Sequence, residues 1–293
     1  MTRIAFIGVG TMGLPIAGKL LAAGHELVLC DVDHARVAVL GAKVARTPRE
    51  AAAEADVVIL SLPSPAAVCD VTLGPDGVRA GARPGTLVID MSTSPPALAR
   101  RLAAELGAVG LEVLDAPVSG GPRGAEEGTL TVMVGGHEDA FVRAEPLLKA
   151  VGRHVVRVGG HGAGQAAKLC NNLIAGATMV AIAEACAVAE QEGLDAATFY
   201  ELVTASTGDS RVLRTRYPLA GADPLHPASS DYGPLFALDL IAKDLELVRA
   251  LAVEHGVVPS ITDAALADYR AAQGAGLGSL DYSAVFLTKR EGE

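Results

Sequence analysis

A lysine and an asparagine near the middle of the chain have the types and the spacing of an acid/base pair. Lys168 and Asn172 lie four positions apart in a stretch with a helical pattern, so their side chains face the same way. A lysine on an otherwise apolar helix face is unfavourable unless it is paired or used. Burial lowers the pKa of a lysine, which would let Lys168 exchange a proton with a substrate hydroxyl while Asn172 orients one of them. The alternative is a surface lysine whose stem lies along the helix.

A glycine loop near the N-terminus predicts a dinucleotide site. The loop follows the apolar run Ile4 to Ile7 and opens a helical pattern, which is the context that the G-x-G-x-x-G motif needs. Its first glycine permits a tight turn, its second lets the backbone approach a pyrophosphate, and its third lets helix and strand pack closely. The helix N-terminus would supply N–H groups to the anion. The alternative is a glycine-rich turn without a ligand. The predicted cofactor-binding residues here are Gly8, Val9, Gly10, Thr11, Met12 and Gly13.

The residue after the second predicted strand favours NAD over NADP. Asp31 follows the run Glu26 to Cys30 and lies where an acidic residue accepts hydrogen bonds from the adenosine ribose. Asp33 would add repulsion against a 2′-phosphate, whereas Arg36 is the residue most able to reverse the preference. The alternative role for Asp31 is a helix N-cap.

A later bend could bind a carboxylate. Ser119, Gly120 and Gly121 follow a proline and precede another, so successive backbone N–H groups can form an anion-binding concavity to which the serine hydroxyl adds a donor. The glycines leave room for a substrate to approach the backbone. Taken alone, the pattern fits an ordinary surface turn equally well.

The elements around these residues predict an α/β fold. Short β-branched runs alternate with helical stretches through the first half, which is typical of a Rossmann-type doubly wound sheet with helices on both faces. After the glycine cluster 159–164 the pattern is almost entirely helical, beginning with a long interdomain helix from Gln165 to Gly193. We therefore predict an NAD-binding Rossmann domain over residues 1–162 and an all-α substrate and dimerisation domain over residues 163–293.

Composition excludes several classes of function. A formal net charge of −10 disfavours nucleic acid and anionic membranes as partners. The four cysteines form no C-x-x-C pair, which predicts reduced thiols in a cytoplasmic protein. The long apolar helix carries charged residues such as Lys168 and Glu184, so we do not expect it to span a membrane. No histidine pair has metal-ligand spacing, and no metal is expected.

Four motifs in order resemble the β-hydroxyacid dehydrogenase family, which includes 3-hydroxyisobutyrate dehydrogenases and tartronate semialdehyde and glyoxylate reductases. The resemblance covers essentially the whole chain. It is carried by a cofactor loop, a substrate loop, a catalytic segment and a late segment, which are Ile7–Gly13, Asp115–Gly121, Gly162–Asn172 and Ile241–Leu245.

The resemblance implies roles for individual residues. It makes Lys168 the general acid/base and Asn172 its helper at the substrate, and it implies a homodimer or homotetramer that the long helix helps to join. Residues expected at the substrate are Ser119, Gly120, Gly121, Thr93, Phe236 and Asp244. Residues expected at the cofactor, beyond the glycine loop and Asp31, are Leu62, Pro63, Thr93 and Lys243.

These features predict an oxidoreductase that transfers a hydride between NAD and a small 3-hydroxy acid. The leading substrate is 3-hydroxyisobutyrate, which would be oxidised to methylmalonate semialdehyde. Tartronate semialdehyde reductase and L-serine dehydrogenase are alternatives within the family, because Arg214 to Arg216 and Pro234-Leu235 depart from the expected pattern. An alternative of another class is a catalytically silent dinucleotide-binding interaction module.

Overall fold

The structure, a computed structural model, describes residues 1–290. The chain divides into two compact units, the first from Met1 to Lys168 and the second beginning at Leu169. This division falls inside the long helix, six residues beyond the boundary that the sequence indicates. The boundary between residues 162 and 163 stays a prediction.

The first unit is built on a sheet of nine strands. The strand order is β3-β2-β1-β4-β5-β6-β8-β7, with β9 also paired to β8. From β3 to β6 all neighbours are parallel, and their order is that of a dinucleotide-binding sheet. The predicted doubly wound sheet is confirmed. The strands are β1 (Arg3–Ile7), β2 (Glu26–Cys30), β3 (Lys43–Val44), β4 (Val57–Leu60), β5 (Leu87–Asp90), β6 (Glu112–Asp115), β7 (Val118–Ser119), β8 (Leu130–Gly136) and β9 (Gly152–Gly159).

One edge of the sheet departs from the simple parallel pattern. β8 is antiparallel to both β6 and β7, and only its pairing with β9 is parallel. The apolar run that predicts β8 contains no information about strand direction. The sequence therefore indicates that β8 belongs to the sheet, but not that it runs antiparallel to β6.

Helices cover both faces of this sheet. Ile4 and Phe6 of β1 belong to one apolar core, whereas Ala5 and Ile7 belong to the other. A strand buried on both faces is typical of a parallel sheet between two helix layers. The helices of this unit are α1 (Gly13–Ala22), α2 (His34–Val37), α3 (Pro48–Ala52), α4 (Pro65–Leu73), α5 (Val78–Gly81), α6 (Pro96–Gly107), α7 (Gly121–Glu127) and α8 (Glu138–Val151), with a 3₁₀ turn at Ala38–Leu40.

The second unit is helical between residues 169 and 290, with one isolated β-bridge between Ala237 and Asp281. Gly176 lets two helices approach, because a Cβ there would lie 3.3 Å from the side chains of Ile241 and Leu245. The predicted all-α C-terminal part is confirmed. Its helices are α9 (Ala163–Gln191), which starts in the first unit, α10 (Ala196–Thr204), α11 (Arg211–Arg216), α12 (Leu238–Glu254) and α13 (Ser260–Gly274), with 3₁₀ helices at Pro227–Ser230 and Tyr282–Lys289.

Helix α9 is long and apolar enough to cross a membrane by length and composition alone, a test that core helices of soluble proteins also pass.

The four cysteines are free thiols. Burial raises the pKa of Cys30 to about 11 and that of Cys186 to about 12, so both stay protonated near neutral pH.

Candidate active site

The three glycines of the N-terminal loop serve different purposes. Gly8 has a φ of 94°, and a Cβ there would lie 2.3 Å from the carbonyl oxygen of Ser61. A Cβ on Gly13 would lie 1.9 Å from the carbonyl oxygen of Gly8. At Gly10 the nearest such atom belongs to the guanidinium of Arg36, 3.8 Å away. The fold therefore requires the first and third glycines, whereas the second leaves open backbone that fits the pyrophosphate of a dinucleotide.

The remaining residues of this loop surround that open backbone. Val9 is buried, Met12 is half-buried and Thr11 is exposed. Helix α1 begins directly after them at Gly13, so its first N–H groups lie at the loop.

Asp31 ties the second strand to the glycine loop. Its Oδ2 accepts a hydrogen bond of 2.6 Å from the backbone N–H of Val9, and its Oδ1 accepts one of 2.8 Å from Asp33. The N-cap of α2 is Asp33, whose side chain accepts from Ala35, so the alternative in which Asp31 caps this helix is wrong. Asp33 also forms an ion pair with Arg36 at 3.0 Å, and Arg36 is the residue whose charge could attract a 2′-phosphate.

The loops after β4 and β5 are joined to each other. The backbone N–H of Leu62 donates to the Ser92 hydroxyl at 2.9 Å, and the Ser92 N–H donates to Asp90 at 2.9 Å. Leu62 and Thr93 are half-buried, and Pro63 is exposed. Leu62, Pro63 and Thr93 follow the carboxyl ends of β4 and β5, the edge at which doubly wound sheets bind ligands, and their contacts to cofactor and substrate stay predictions.

The first turn of α9, which leads to Lys168, begins against the carboxyl end of β6. Asp115 accepts hydrogen bonds from the N–H groups of Gly162 (2.8 Å) and Gln165 (3.0 Å). Gly162 has a φ of 87°, and a Cβ on Gly164 would lie 2.4 Å from the carbonyl oxygen of Met133. These glycines let the helix start in contact with the strands. Lys168 follows one turn later with 8% of its surface exposed, so the alternative of a surface lysine is wrong.

The predicted carboxylate loop has the backbone of an open bend. Gly120 and Gly121 have φ values of 136° and 67°, which favour glycine. Gly120 is exposed, and Ser119 and Gly121 are half-buried. The bend leads directly into α7, so backbone N–H groups of the helix start lie next to it.

In the second unit, Asn172 belongs to a buried polar chain. Its Nδ2 donates to Asp244 Oδ2 at 2.6 Å, and its Oδ1 accepts from Asn171 at 3.1 Å. Lys243 pairs with Asp244 Oδ1 at 3.2 Å. Asp244 is 1% exposed, so this lysine–aspartate pair is not the solvated helix face that its sequence favours when taken alone. The carboxylate orients the Asn172 amide.

Phe236 lies two residues before the start of α12, next to its N-cap Ala237. Its backbone N–H donates to Asp281 at 3.0 Å, and its half-buried ring lies edge-on to Tyr282 with centroids 6.0 Å apart. Asp281 is fully buried and also accepts from Ser283, so it holds this segment in place.

Sequence reasoning missed several residues that hold the site in the first unit. They are buried, and their hydrogen bonds lie within the loop after β5 or join that loop, the loop after β4, the end of β6 and the start of α9. They are Asp90, Ser92, Ser94, Asp115 and Gln165. The signal available in the sequence was polarity at positions that the strand and helix patterns make apolar. Over residues 1–290, no group of three or more His, Cys, Asp or Glu side chains is arranged to hold a metal ion.

Comparison with known proteins decides the family. Residues 3–160 match the NAD binding domain of 6-phosphogluconate dehydrogenase, and residues 162–288 match the NAD-binding domain of NADP-dependent 3-hydroxyisobutyrate dehydrogenase. The chain belongs to the β-hydroxyacid dehydrogenase family. It is an NAD-dependent dehydrogenase that acts on a hydroxy acid, which disfavours the silent interaction module.

Individual relatives agree with this membership. The NAD-dependent L-serine dehydrogenase of Pseudomonas aeruginosa is 42% identical over 288 residues, which are 97% of each chain. The 3-hydroxyisobutyrate dehydrogenase of the same organism is 43% identical over 85% of each chain. The structure of Mycobacterium tuberculosis 3-hydroxyisobutyrate dehydrogenase with L-serine is 40% identical, covers 99% of both chains and gives a TM-score of 0.90.

Asp90 gives the first unit a pH-dependent stability. Burial raises the pKa of Asp90 to about 6, against the opposing effect of its bonds from Ser92, and the nearby Asp115 adds to the rise. The folded state therefore binds this proton more tightly than the unfolded state does, where the pKa is 3.8. The associated stability is present at low pH and is lost as pH rises from about 4 through about 6.

We expect Asp90→Asn to become increasingly stabilising over that pH range. Asparagine keeps an acceptor for the Ser92 N–H but cannot ionise, so it avoids a loss of up to about 3 kcal/mol. Urea titrations should show the difference in unfolding free energy from the wild type growing between pH 4 and 7 and then levelling. Asp70→Asn, at an exposed carboxylate, is the control. A difference independent of pH would contradict the assignment.

Proposed function

We propose that this dehydrogenase oxidises a small 3-hydroxy acid, with 3-hydroxyisobutyrate as the leading substrate and Lys168 as the acid/base residue. The observation that supports this most directly is the burial of Lys168 on the first turns of α9, in a chain whose family transfers hydride to NAD. A buried lysine is suited to proton transfer because burial lowers the pKa of an ammonium group toward neutrality.

In this proposal Lys168 takes the proton of the substrate hydroxyl as the alcohol is oxidised and returns it in the reverse direction. The glycine loop and Asp31 would hold NAD, which would supply the acceptor for the hydride of the carbinol carbon. Lys168 does not need to move, because α9 begins at the fixed contact between Asp115 and the backbone of Gly162 and Gln165. Fixed positioning and charge stabilisation supply much of the rate in such sites.

Asn172 assists in the proposal through its amide. Asp244 accepts one N–H of that amide, which leaves the second N–H to donate to the substrate. We assign Asp244 and Lys243 to the support of Asn172 as well as to their expected places near substrate and cofactor.

The substrate carboxylate is assigned to Ser119, Gly120 and Gly121. The support for this assignment is an open bend whose two glycines have positive φ values, with the Ser119 hydroxyl as a donor beside them. Thr93, after β5, and Phe236, before α12, complete the proposed substrate contacts.

NAD is favoured over NADP by two carboxylates after β2. Asp31 lies next to the glycine loop and can accept from the ribose hydroxyls, as its bond to the Val9 N–H shows that its Oδ2 faces that loop. Asp33 pairs with Arg36 and so offsets a cation that could attract a 2′-phosphate.

Two substrates fit the proposal closely because they share one skeleton. 3-Hydroxyisobutyrate and L-serine both carry a carboxylate and a terminal hydroxymethyl group, and they differ in a methyl or an ammonium group on the central carbon. Relatives named for each are about equally similar to this chain. A third candidate activity is that of a tartronate semialdehyde reductase, for which turnover should be faster in the reductive direction.

We also propose a cytoplasmic homodimer or homotetramer. Along α9, Ile174, Ala181 and Val188 are exposed at intervals of one heptad, and the two larger side chains are 68% and 64% exposed. An apolar stripe of this kind is suited to a second copy of the same helix.

We expect Lys168→Ala to lower kcat by at least about 1,000-fold, because the hydroxyl proton loses its acceptor. The dissociation constant for NAD, measured by fluorescence quenching, should change less than about threefold, since the glycine loop and Asp31 are untouched. Lys149→Ala is the matched control, because that lysine is exposed on α8 and pairs with Glu145 one helical turn earlier. Near-normal kcat in Lys168→Ala would show that the acid/base residue lies elsewhere.

The substrate is decided by kcat/KM for 3-hydroxyisobutyrate, L-serine, D-glycerate and 4-hydroxybutyrate, each with NAD and with NADP. We expect the highest value for 3-hydroxyisobutyrate with NAD, and at least about tenfold lower values with NADP because of Asp31 and Asp33. A higher kcat/KM for L-serine would agree with the same mechanism and would identify a substrate with an ammonium group as the preferred one. Absence of turnover with all four would overturn the proposed function.

A further inference from the structure

The side chain of Gln165 forms hydrogen bonds to the backbone on both sides of Thr93. Its Oε1 accepts a hydrogen bond of 2.9 Å from the N–H of Ser94, and its Nε2 donates one of 2.8 Å to the carbonyl oxygen of Ser92. Gln165 and Ser94 are fully buried, and Ser92 is 5% exposed. One amide therefore satisfies a donor and an acceptor that flank the residue expected at the substrate.

The backbone of Gln165 takes part in a second anchor. Its N–H donates to Asp115 Oδ2 at 3.0 Å in the first turn of α9. Lys168 lies three residues further along the same helix, which is less than one turn. Gln165 is thus bonded at once to the loop that carries Thr93 and to the strand end against which the helix of Lys168 begins.

The same arrangement extends to the loop after β4. The Ser92 hydroxyl accepts from the Leu62 N–H at 2.9 Å, so Ser92 links Leu62 to the segment that Gln165 holds. A buried backbone N–H or C=O that loses its hydrogen-bond partner destabilises the folded state. This loop therefore has little freedom to move while Gln165 is in place.

We propose that Gln165 is a positioning residue that fixes Thr93 relative to Lys168 and so sets the distance over which the substrate is held for proton and hydride transfer. The inference rests on the proposed function, because it takes Thr93 and Lys168 as groups at the substrate. Gln165 itself need not touch the substrate.

The chemistry of the amide allows a pH-dependent test. In Gln165→Glu, a protonated side chain keeps both bonds, since its hydroxyl donates to the Ser92 carbonyl and its carbonyl accepts from Ser94. An ionised side chain can only accept, so it faces the Ser92 carbonyl oxygen with like charge. Burial favours the neutral acid and brings this change into a measurable pH range.

We expect Gln165→Met, which is similar in length but lacks the amide, to lower kcat about 10- to 100-fold while the dissociation constant for NAD changes less than about threefold. For Gln165→Glu, the ratio of its kcat to that of the wild type should rise about tenfold as pH falls from 9 to 6. Gln191→Ala, at the exposed end of α9, should match the wild type throughout. A kcat within twofold of the wild type in Gln165→Met, or a flat ratio for Gln165→Glu, would overturn the inference.

A second readout does not depend on turnover. The Ser94 amide should exchange its hydrogen at least about tenfold faster in Gln165→Met than in the wild type, as measured by NMR. If the Ser94 amide of Gln165→Met exchanges as in the wild type, and the wild type is active, the inference about Gln165 is overturned and the proposed function stands. A wild-type protein that oxidises none of the hydroxy acids would instead overturn the proposed function, and this role of Gln165 with it.

Discussion

The carboxylate of Asp115, buried at the end of β6, is the interaction on which the arrangement of the first unit depends. It accepts two hydrogen bonds from the start of α9, and the negative charge lies at the positive end of the helix dipole. Burial raises the pKa of Asp115, whereas the bonds from Gly162 and Gln165 and the nearby His161 favour its ionised form. Gly162 and Gly164 are needed because a Cβ on the first would lie 2.8 Å from the carbonyl oxygen of Pro96, and one on the second 2.4 Å from that of Met133. The turn of α9 that carries Lys168 starts from the contact with Asp115.

Much of this architecture follows from local pattern. Alternating apolar runs and helices predict the doubly wound sheet, because a strand buried on both faces has a recognisable composition. The glycine loop was also predictable as a motif. The separate roles of its glycines were predictable with it, and the structure adds the distances: a Cβ on Gly8 or Gly13 would clash with backbone, whereas one on Gly10 would meet only the end of the Arg36 side chain. The reversal of β8 depends on a strand partner distant in the sequence, which a local pattern does not contain. The cap of α2 is a local contact, but Asp31 and Asp33 both suit it by residue type, and the structure distinguishes them.

The buried polar residues are the part that sequence reasoning found hardest. Gln165 and Ser92 act through hydrogen bonds across 30 to 73 positions of the chain, so nothing beside them in the sequence marks their function. The same applies to Asp244 in the second unit, whose bond to Asn172 spans 72 positions. In both units the hydrogen-bond partner lies far away in the sequence, so the contact itself could not be predicted even where, as for Asp244, the residue was. The preference between a substrate with a methyl group and one with an ammonium group does not follow from similarity either. The 3-hydroxyisobutyrate dehydrogenase and the L-serine dehydrogenase are almost equally similar to this chain.

The central claim is that the Asp115 carboxylate fixes the turn that carries Lys168, and amide hydrogen exchange in Asp115→Asn tests it most directly. Asparagine has one acceptor oxygen and an NH₂ group in place of the second, so one of the two helix N–H groups loses its partner. We expect the amide of Gly162 or Gln165 to exchange at least about tenfold faster than in the wild type, and kcat to fall by at least about tenfold with NAD binding retained. Unchanged protection of both amides together with wild-type kcat would contradict the claim.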